Sequence, residues 1–218
     1  METVLNPSLK EMAQAAINQK LILQGVGWDF YERILEEYAE SNGLHFAYDD
    51  GFLEIEVPLF EHESANAILQ NLVTTICVEK DINFVNAGST TFRKRAKAKG
   101  VEPDTCFYIQ KEAKIRGKSD IDLETDPPPD LVIEVDVTSP SLNKMPIYAA
   151  LGVPEVWLYK GERLEFYKLY GDFYQETPNS TFFPMLSSEK TTEFLRKGLM
   201  ENSSKWFKEV REWMNKND

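Results

Sequence analysis

Cysteine and histidine are scarce in this chain, and each scarcity excludes a class of site. The 218 residues include two cysteines, Cys77 and Cys106, and two histidines, His45 and His62. Two cysteines far apart in sequence give no disulfide framework and fit a reducing compartment. With two histidines, a site built on clustered imidazoles is not expected, which excludes zinc fingers and H-E-x-x-H proteases. A site in which oxygen ligands hold a metal ion is not excluded by these scarcities.

Long apolar runs are also missing. No run approaches the roughly 18 to 20 apolar residues that a membrane span needs. The first residues, Met1-Glu2-Thr3, contain neither the basic nor the apolar part of a secretion signal. We therefore expect a soluble, cytoplasmic protein with no membrane partner.

Positive charge is in the minority, since 24 Lys and Arg face 36 Asp and Glu and the formal net charge is -12. A uniformly acidic surface repels phosphate, which argues against sequence-independent binding of nucleic acid. One segment differs, because it has five cations and no acid in seven positions. Its cations are Arg93, Lys94, Arg95, Lys97 and Lys99. The sequence leaves two interpretations of this segment, a contact with the DNA backbone or a solvated loop.

What is present is a globular composition, 42% apolar and 12% aromatic, which excludes disorder and coiled coils. The pattern predicts an α/β or α+β fold, a mixed β-sheet flanked by helices. We predict a single domain over 1–218, with an N-terminal helical arm over about 1–27 and a C-terminal helix over about 190–218. Between them we predict helices over 28–39, 61–79 and from about 144, hairpins over 44–57 and 155–169, and strands over 82–85, 101–109 and 131–137.

Two carboxylates interrupt the apolar strand predicted over 131–137. Glu134 and Asp136 point to the same side of a strand, because strand side chains alternate. Burial of either carboxylate in its ionised form without a partner would cost several kcal/mol of folding free energy. We therefore expect a cation beside these carboxylates or a proton on one of them. Asp104 lies at the start of the preceding strand. Acids on neighbouring strands commonly form an oxygen-ligand site in which Mg²⁺ keeps waters and bridges to a substrate phosphate.

Lys144 follows Glu134 at the entry of the next helix, close enough along the chain to turn back over the strand end. A lysine there can orient or help deprotonate a water and stabilise charge on a phosphate. The alternative interpretation is a solvated lysine at a helix end.

In order and spacing, these residues resemble the Uma-two family, restriction-endonuclease-like proteins of the PD-(D/E)XK nuclease superfamily. The resemblance extends over about residues 28–170 and includes the hairpin turn and the first turn of the long helix. The matching segments are Asp50-Gly51, Glu61-His62-Glu63, Gly88-Ser89-Thr90-Thr91, Pro103-Asp104, Pro129 to Val135, Ser139-Pro140-Ser141, Lys144 with Tyr148, and Gly152 to Trp157.

The resemblance implies a restriction-endonuclease-like core with one active site per chain. It makes Asp104 the acid of the Pro-Asp motif, Glu134 the second acid and Lys144 the lysine, with Glu63 as an extra acid from the long helix. The lysine comes from the next helix because the position two after Glu134 is Asp136.

The resulting hypothesis is a metal-dependent endonuclease that hydrolyses DNA phosphodiester bonds with a metal-activated water. Asp104, Glu134 and the Val135 carbonyl would hold Mg²⁺ or Mn²⁺. Asp136 and His62 are candidate accessory residues. His62 would contact a phosphate or tune Glu63, and the alternative interpretation is a hydrogen-bonded surface histidine.

Two alternatives remain open on sequence alone. The first is an inactive nuclease-fold protein that binds a partner and keeps the carboxylates and lysine as a structural cluster. The second keeps the fold and changes the substrate to RNA or a nucleic-acid end. A symmetric homodimer is the default assembly for cleavage of both DNA strands.

Overall fold

The computed structural model describes residue 12 and residues 20–38, 43–136 and 142–217. These residues form an α+β fold, which confirms the predicted fold class, but the strands make two sheets instead of one. In chain order the strands are β1 (Lys20–Gln24), β2 (His45–Asp49), β3 (Phe52–Glu56), β4 (Val85–Asn86), β5 (Phe92–Lys94), β6 (Lys99–Val101), β7 (Thr105–Tyr108), β8 (Leu131–Val135), β9 (Glu155–Tyr159), β10 (Leu164–Tyr170) and β11 (Phe173–Thr177).

The first sheet has five antiparallel strands in the order β1-β3-β2-β6-β5. The second has six strands in the order β11-β10-β9-β8-β7-β4. In the second sheet β8 and β9 are parallel and every other pair is antiparallel. The parallel pair is joined through a helix, as parallel neighbours require a crossover connection.

Six helices with described bounds flank the sheets in this part of the chain. They are α1 (Trp28–Tyr38), α2 (Phe60–Glu79), α3 (Glu112–Ile115), α4 (Met145–Leu151), α5 (Ser188–Met200) and α6 (Ser203–Lys216), and a 3-10 turn covers Arg95–Lys97. One face of the six-stranded sheet packs on α2, α5 and α6, and the other packs on α4 and the five-stranded sheet. Because both faces are covered, β8 is a continuous buried run.

The division into two sheets occurs inside the strand predicted over 101–109. Pro103 has no N–H to donate to a ladder, so the chain leaves one sheet there and enters the other. Val101 in β6 pairs with Ala47, while Thr105 in β7 pairs with Ile133. The break brings acids from both sheets together.

The predicted N-terminal helical arm, about 1–27, agrees with the structure at Met12, which is helical, and differs from it at the end of the arm. Lys20–Gln24 form β1, which pairs with β3 over its whole length and covers what would otherwise be an open sheet edge. Residues 1–11 and 13–19, which contain the rest of the predicted helix, lie outside the described residues.

The predicted C-terminal helix is two helices, α5 and α6. The helix is interrupted at Asn202, whose side chain caps the N-terminus of α6 by accepting a hydrogen bond from the Ser204 backbone N–H at 3.0 Å. The strand predicted over 82–85 shrinks to the two-residue β4.

The hairpin predicted at Asp50-Gly51 is confirmed. Both residues have positive φ, 43° and 92°. A two-residue turn of this kind matches the twist of the flanking strands, and glycine adopts it without strain. None of the helices in the described parts of the chain is long and apolar enough to cross a membrane.

Candidate active site

Asp104 and Glu134 meet where the two sheets come together. Asp104 directly precedes β7, and Glu134 lies on the adjacent strand β8. The Val135 backbone N–H donates to Asp104 Oδ2 at 2.6 Å, which ties Asp104 to the residue next to Glu134. Both side chains are buried. The structure therefore brings together the two acids that the sequence singles out.

Lys144 and Tyr148 both bind the carboxylate of Glu134. Lys144 stands immediately before α4 and donates from Nζ to Glu134 Oε2 at 2.9 Å. The Tyr148 hydroxyl donates to the other oxygen, Oε1. Residues four apart lie on one face of a helix, which explains why both reach the same carboxylate. The predicted return of Lys144 over the strand end is what the structure shows.

The two histidines of the chain converge on Asp104, against the expectation that imidazoles would not cluster. His62 Nε2 lies 3.3 Å from Asp104 Oδ2 and 4.0 Å from Glu56 Oε1. His45 Nδ1 lies 3.4 Å from Asp104 Oδ1, yet neither atom has a hydrogen-bond partner among the described residues. His62 is thus beside Asp104.

Three further charged residues at the site were missed by sequence reasoning. Glu54 and Glu56 in β3 are buried, and Lys20 in β1 lies 3.4 Å from Glu56 through Nζ and Oε1. Lys144 Nζ lies 3.9 Å from Glu56 Oε2. The detectable signal was the alternation of Glu54 and Glu56 with Leu53 and Ile55, which puts both acids on one face of β3.

Glu63 stands apart from this buried group, and Asp136 lies at its edge. Glu63 is exposed on the first turn of α2, and none of the described hydrogen bonds or ion pairs joins it to Asp104 or Glu134. β8 ends at Val135, so Asp136 lies beyond the strand, and the predicted extension to residue 137 is not observed over its described part. Asp136 Oδ1 accepts from Lys20 Nζ at 3.2 Å.

The two acids have opposite pKa shifts. Burial raises the pKa of the Glu134 carboxyl to about 7, and the charge of Asp104 adds to the rise, while Lys144 and Tyr148 oppose it. Burial also opposes the ionisation of Asp104, but the histidines and Lys144 outweigh it and hold the pKa of Asp104 below its ordinary value. Asp104 is therefore the more acidic member of the pair.

Lys144 is a stable cation in this environment. Burial disfavours its charge, but the surrounding acids, Glu134 first and then Asp104 and Glu56, raise the pKa of Lys144 well above its ordinary value. At neutral pH the ammonium group can donate hydrogen bonds and attract negative charge. It cannot act as a base there.

The order of these elements and residues agrees with a known family. A family model with the description "Putative restriction endonuclease", that of the Uma-two family, matches residues 28–197. The chain belongs to this family. The match confirms the family resemblance recognised in the sequence, and it includes Asp104, Glu134, Lys144 and Tyr148.

A solved structure supports the fold of this Uma-two protein. The chain is similar to "a putative nuclease belonging to DUF820" from Anabaena variabilis ATCC 29413, with a TM-score of 0.51 and 16% sequence identity. The similarity covers 76% of this chain and 98% of that chain. At this identity the likeness shows the fold alone. No curated protein matches the sequence.

The acid pair of this Uma-two protein suits a hard divalent cation. Asp104 Oδ1 is buried, makes no full hydrogen bond in the described parts of the chain and lies 3.4 Å from His45 Nδ1, so it is the carboxylate oxygen of the pair that a cation could bind. No group of three or more His, Cys, Asp or Glu among the described residues has the arrangement of an all-protein metal site. Mg²⁺ does not need one, because it binds one or two carboxylates and keeps several waters.

Three of the five cations in the basic segment already have partners within the protein. Arg95 pairs with Asp29 and Glu32 of α1, and Lys99 pairs with Asp49. The Lys97 ammonium donates to the Ala150 carbonyl of α4. The segment therefore contacts the helix that follows Lys144, and part of its positive charge is neutralised.

A cleft of about 580 Å³ opens beside the buried charges. Its inner end is formed by Glu56, Glu134 and Lys144, and Tyr148 and Lys20 also line it. The cleft gives a substrate a route to Glu134 and Lys144 from solvent.

Proposed function

We propose that this Uma-two protein is a metal-dependent endonuclease that hydrolyses phosphodiester bonds of DNA. One observation supports this most strongly. Glu134 and Lys144 line an open cleft, and Asp104 is buried behind them, tied to the neighbour of Glu134 through the Val135 backbone N–H. A nuclease needs acids for a divalent cation and a cation for the phosphate, and this cluster contains both.

Asp104 and Glu134, with the Val135 carbonyl, are the residues that would hold Mg²⁺ or Mn²⁺. When bound, such an ion lowers the pKa of a coordinated water and polarises the phosphate. Asp104 suits this role because its pKa is lowered and its buried Oδ1, beside His45, makes no full hydrogen bond.

Lys144 stabilises the negative charge that develops on the phosphate during attack. Its raised pKa keeps the ammonium protonated, so we assign it electrostatic stabilisation and orientation of the water, and no role as the base. Tyr148 fixes the carboxylate of Glu134 from the opposite oxygen and thereby sets the direction in which Glu134 and Lys144 point.

The proposed site includes one additional acid near the metal ligands, and two residues are candidates for it. Glu63 is the residue implied by the family resemblance, and it is exposed on α2. Glu56 is buried within the cluster, 3.9 Å from Lys144. If Glu56 has the role, Glu56→Gln lowers cleavage and Glu63→Gln does not; the reverse result assigns it to Glu63.

DNA binding and assembly are also part of the proposal. Arg93 to Lys99 would approach the DNA backbone, with His62 and Asp136 as accessory groups at the cluster. A homodimer would supply two active sites for two strands, and sedimentation of the pure protein with and without DNA tests it.

A cytoplasmic location is also proposed. Cys77 and Cys106 are free thiols, which is consistent with it.

The experiment is nicking of supercoiled plasmid by the pure full-length protein in Mg²⁺, Mn²⁺ or EDTA. We expect nicking in the two metals and none in EDTA. Glu134→Gln and Asp104→Asn should abolish it, and Lys144→Met should lower it by about 100-fold or more, as for loss of one charge-stabilising donor. Glu189→Gln, an exposed acid on α5, is the matched control and should keep full activity.

An inactive binding protein is the second candidate, and one observation favours it. Both oxygens of Glu134 already accept hydrogen bonds, from Lys144 and Tyr148, so the cluster is stable without a metal. This candidate predicts no cleavage of DNA or RNA and no change of the unfolding temperature on addition of Mg²⁺. Cleavage of RNA alone would keep the chemistry and replace the substrate.

A further inference from the structure

The cleft extends well beyond the buried charges, and its outer wall has a different chemistry. That wall is formed by the last strands of the six-stranded sheet. Its residues are Leu158, Lys160, Tyr167, Asp172, Phe173 and Tyr174. Three of the six are aromatic, and they line the same opening as Glu134 and Lys144.

Phe173 is the unusual member of this wall. It begins β11, next to the Gly171-Asp172 turn, and 60% of the residue is exposed. The two tyrosines are held in place, since the Tyr174 hydroxyl donates to the Val153 carbonyl at 2.7 Å and the Tyr167 hydroxyl donates to Glu165 at 2.8 Å. The wall therefore combines two fixed rings with one exposed ring at the mouth.

Charged groups frame these rings. Lys160 Nζ lies 6.0 Å from the centre of the Tyr167 ring and is also paired with Glu165 at 2.9 Å. Asp172 is exposed at the rim. Aromatic faces with interspersed lysines form the surfaces on which proteins bind unpaired nucleotides, because every base has a face that stacks on an aromatic ring.

We propose that the outer cleft binds one unpaired nucleotide of the substrate strand, with its base stacked on Phe173 and its phosphate directed toward Lys144. This inference rests on the proposed nuclease function and adds a substrate class, nucleic acid that is single-stranded or has a base out of the helix. A volume of about 580 Å³ is within the range of pockets that enclose a ligand of nucleotide size.

A base within a duplex cannot stack on Phe173 in this cleft. In a duplex both faces of a base are covered by its neighbours, so a base can stack on the rings of this cleft only after it leaves the helical stack. That step costs least for a base that is already unpaired. The site therefore favours single strands, bulges and mismatches over continuous duplex.

The test measures binding separately from cleavage. The probes are a single-stranded oligonucleotide with one 2-aminopurine, a duplex with the same base in a bulge, and a fully paired duplex. Each is titrated with the full-length protein in Ca²⁺, and again in EDTA, while the fluorescence of 2-aminopurine is recorded. We expect quenching by stacking with the first two probes and affinity at least about tenfold higher than for the paired duplex.

Variants of the exposed ring make the test specific. Phe173→Leu keeps an apolar side chain without a ring and should lose the quenching and about tenfold in affinity, whereas Phe173→Trp should retain both. Tyr170→Leu is the matched control, because Tyr170 is an exposed ring on the same hairpin and does not line the cleft. It should behave as the wild type.

The outcomes separate this inference from the proposed function. Equal affinity for paired and unpaired probes, or equal losses in Phe173→Leu and Tyr170→Leu, overturns the nucleotide site even if plasmid is nicked. Quenching that depends on Phe173 in a protein that cleaves nothing supports the site and contradicts the nuclease.

Discussion

At the scale of single residues, Glu134 is a carboxyl under competing influences. Burial and Asp104 favour its neutral form, while Lys144 and Tyr148 favour its charged form, and the resulting pKa is about 7. A group with such a pKa changes charge within the range in which most enzymes operate, which is characteristic of active sites. The same shift must also appear in the stability of the fold.

The first prediction concerns stability and pH. The native state holds the Glu134 proton more tightly than the unfolded chain, so its contribution to stability is present at low pH and is lost as pH rises from about 4.5 to about 7. Between pH 5 and 7.5, the wild type should lose about 2 kcal/mol more of its free energy of unfolding than Glu134→Gln. Urea unfolding in EDTA measures this difference.

The control for this measurement is Glu189→Gln, which should follow the wild type at every pH. Parallel pH profiles for wild type and Glu134→Gln would contradict a raised pKa of Glu134.

The second prediction concerns the pairing of Lys144 with Glu134. Lys144→Met leaves a buried carboxylate without its cation and should be destabilising, whereas the double variant Lys144→Met/Glu134→Gln removes both charges. A double-mutant cycle at pH 7.5 should give a favourable coupling of about 1 to 3 kcal/mol. Additive effects of the two substitutions would show that the 2.9 Å contact contributes nothing to stability.

At the scale of elements, close contacts between helices and sheets position the site. Tyr31 of helix α1 packs against β6, and its ring stacks on the Tyr48 ring with 4.8 Å between the two centroids. Gly100 of β6 is opposite Tyr48 and has no side chain, so the Tyr31 ring can occupy that space. This packing holds the strand that precedes Pro103 and Asp104.

The third prediction follows from that contact. In Gly100→Ala the added carbon would overlap the Tyr31 ring, so helix or strand must shift, and we expect a loss of about 1 to 3 kcal/mol in the free energy of unfolding. Gly27→Ala is the matched control, because its added carbon meets nothing within 4 Å. Unfolding midpoints in urea compare the two, and an unchanged midpoint for Gly100→Ala would contradict the close packing.

At the scale of the whole molecule, the charge distribution limits the DNA binding that we propose. The net charge of -12 repels phosphate, and ion pairs neutralise Arg95 and Lys99. Arg93 and Lys94, on the edge strand β5, are the cations of the basic segment that we expect to contact phosphates. Binding should therefore depend only weakly on salt.

The fourth prediction measures this dependence. Each phosphate contact contributes about 0.9 to the slope of log K against log salt for duplex DNA. Replacing Arg93 and Lys94 by alanine should reduce that slope by about 2. Lys114→Ala, an exposed lysine on α3, should leave it unchanged. Equal slopes for all variants would identify the segment as a solvated loop.

Several features of this protein were determined by the sequence itself. The apolar run of β8, the Asp50-Gly51 turn and the helix α2 follow from local patterns, and all three are confirmed. The grouping of Asp104, Glu134 and Lys144 was also predictable, because the first two lie at neighbouring strands and the third is ten residues from the second. Local spacing is enough where the contacts are between adjacent elements.

The rest was decided by the tertiary structure, since the contacts join residues far apart in the chain. Lys20 reaches Asp136 across 116 positions, and the unforeseen strand β1 brings it there. His45 and Glu56 enter from the other sheet, whose separation depends on the missing N–H of Pro103. The tertiary structure also determines the charge state of each group. Burial raises the pKa of Glu134, whereas the neighbouring charges keep Lys144 protonated and lower the pKa of Asp104.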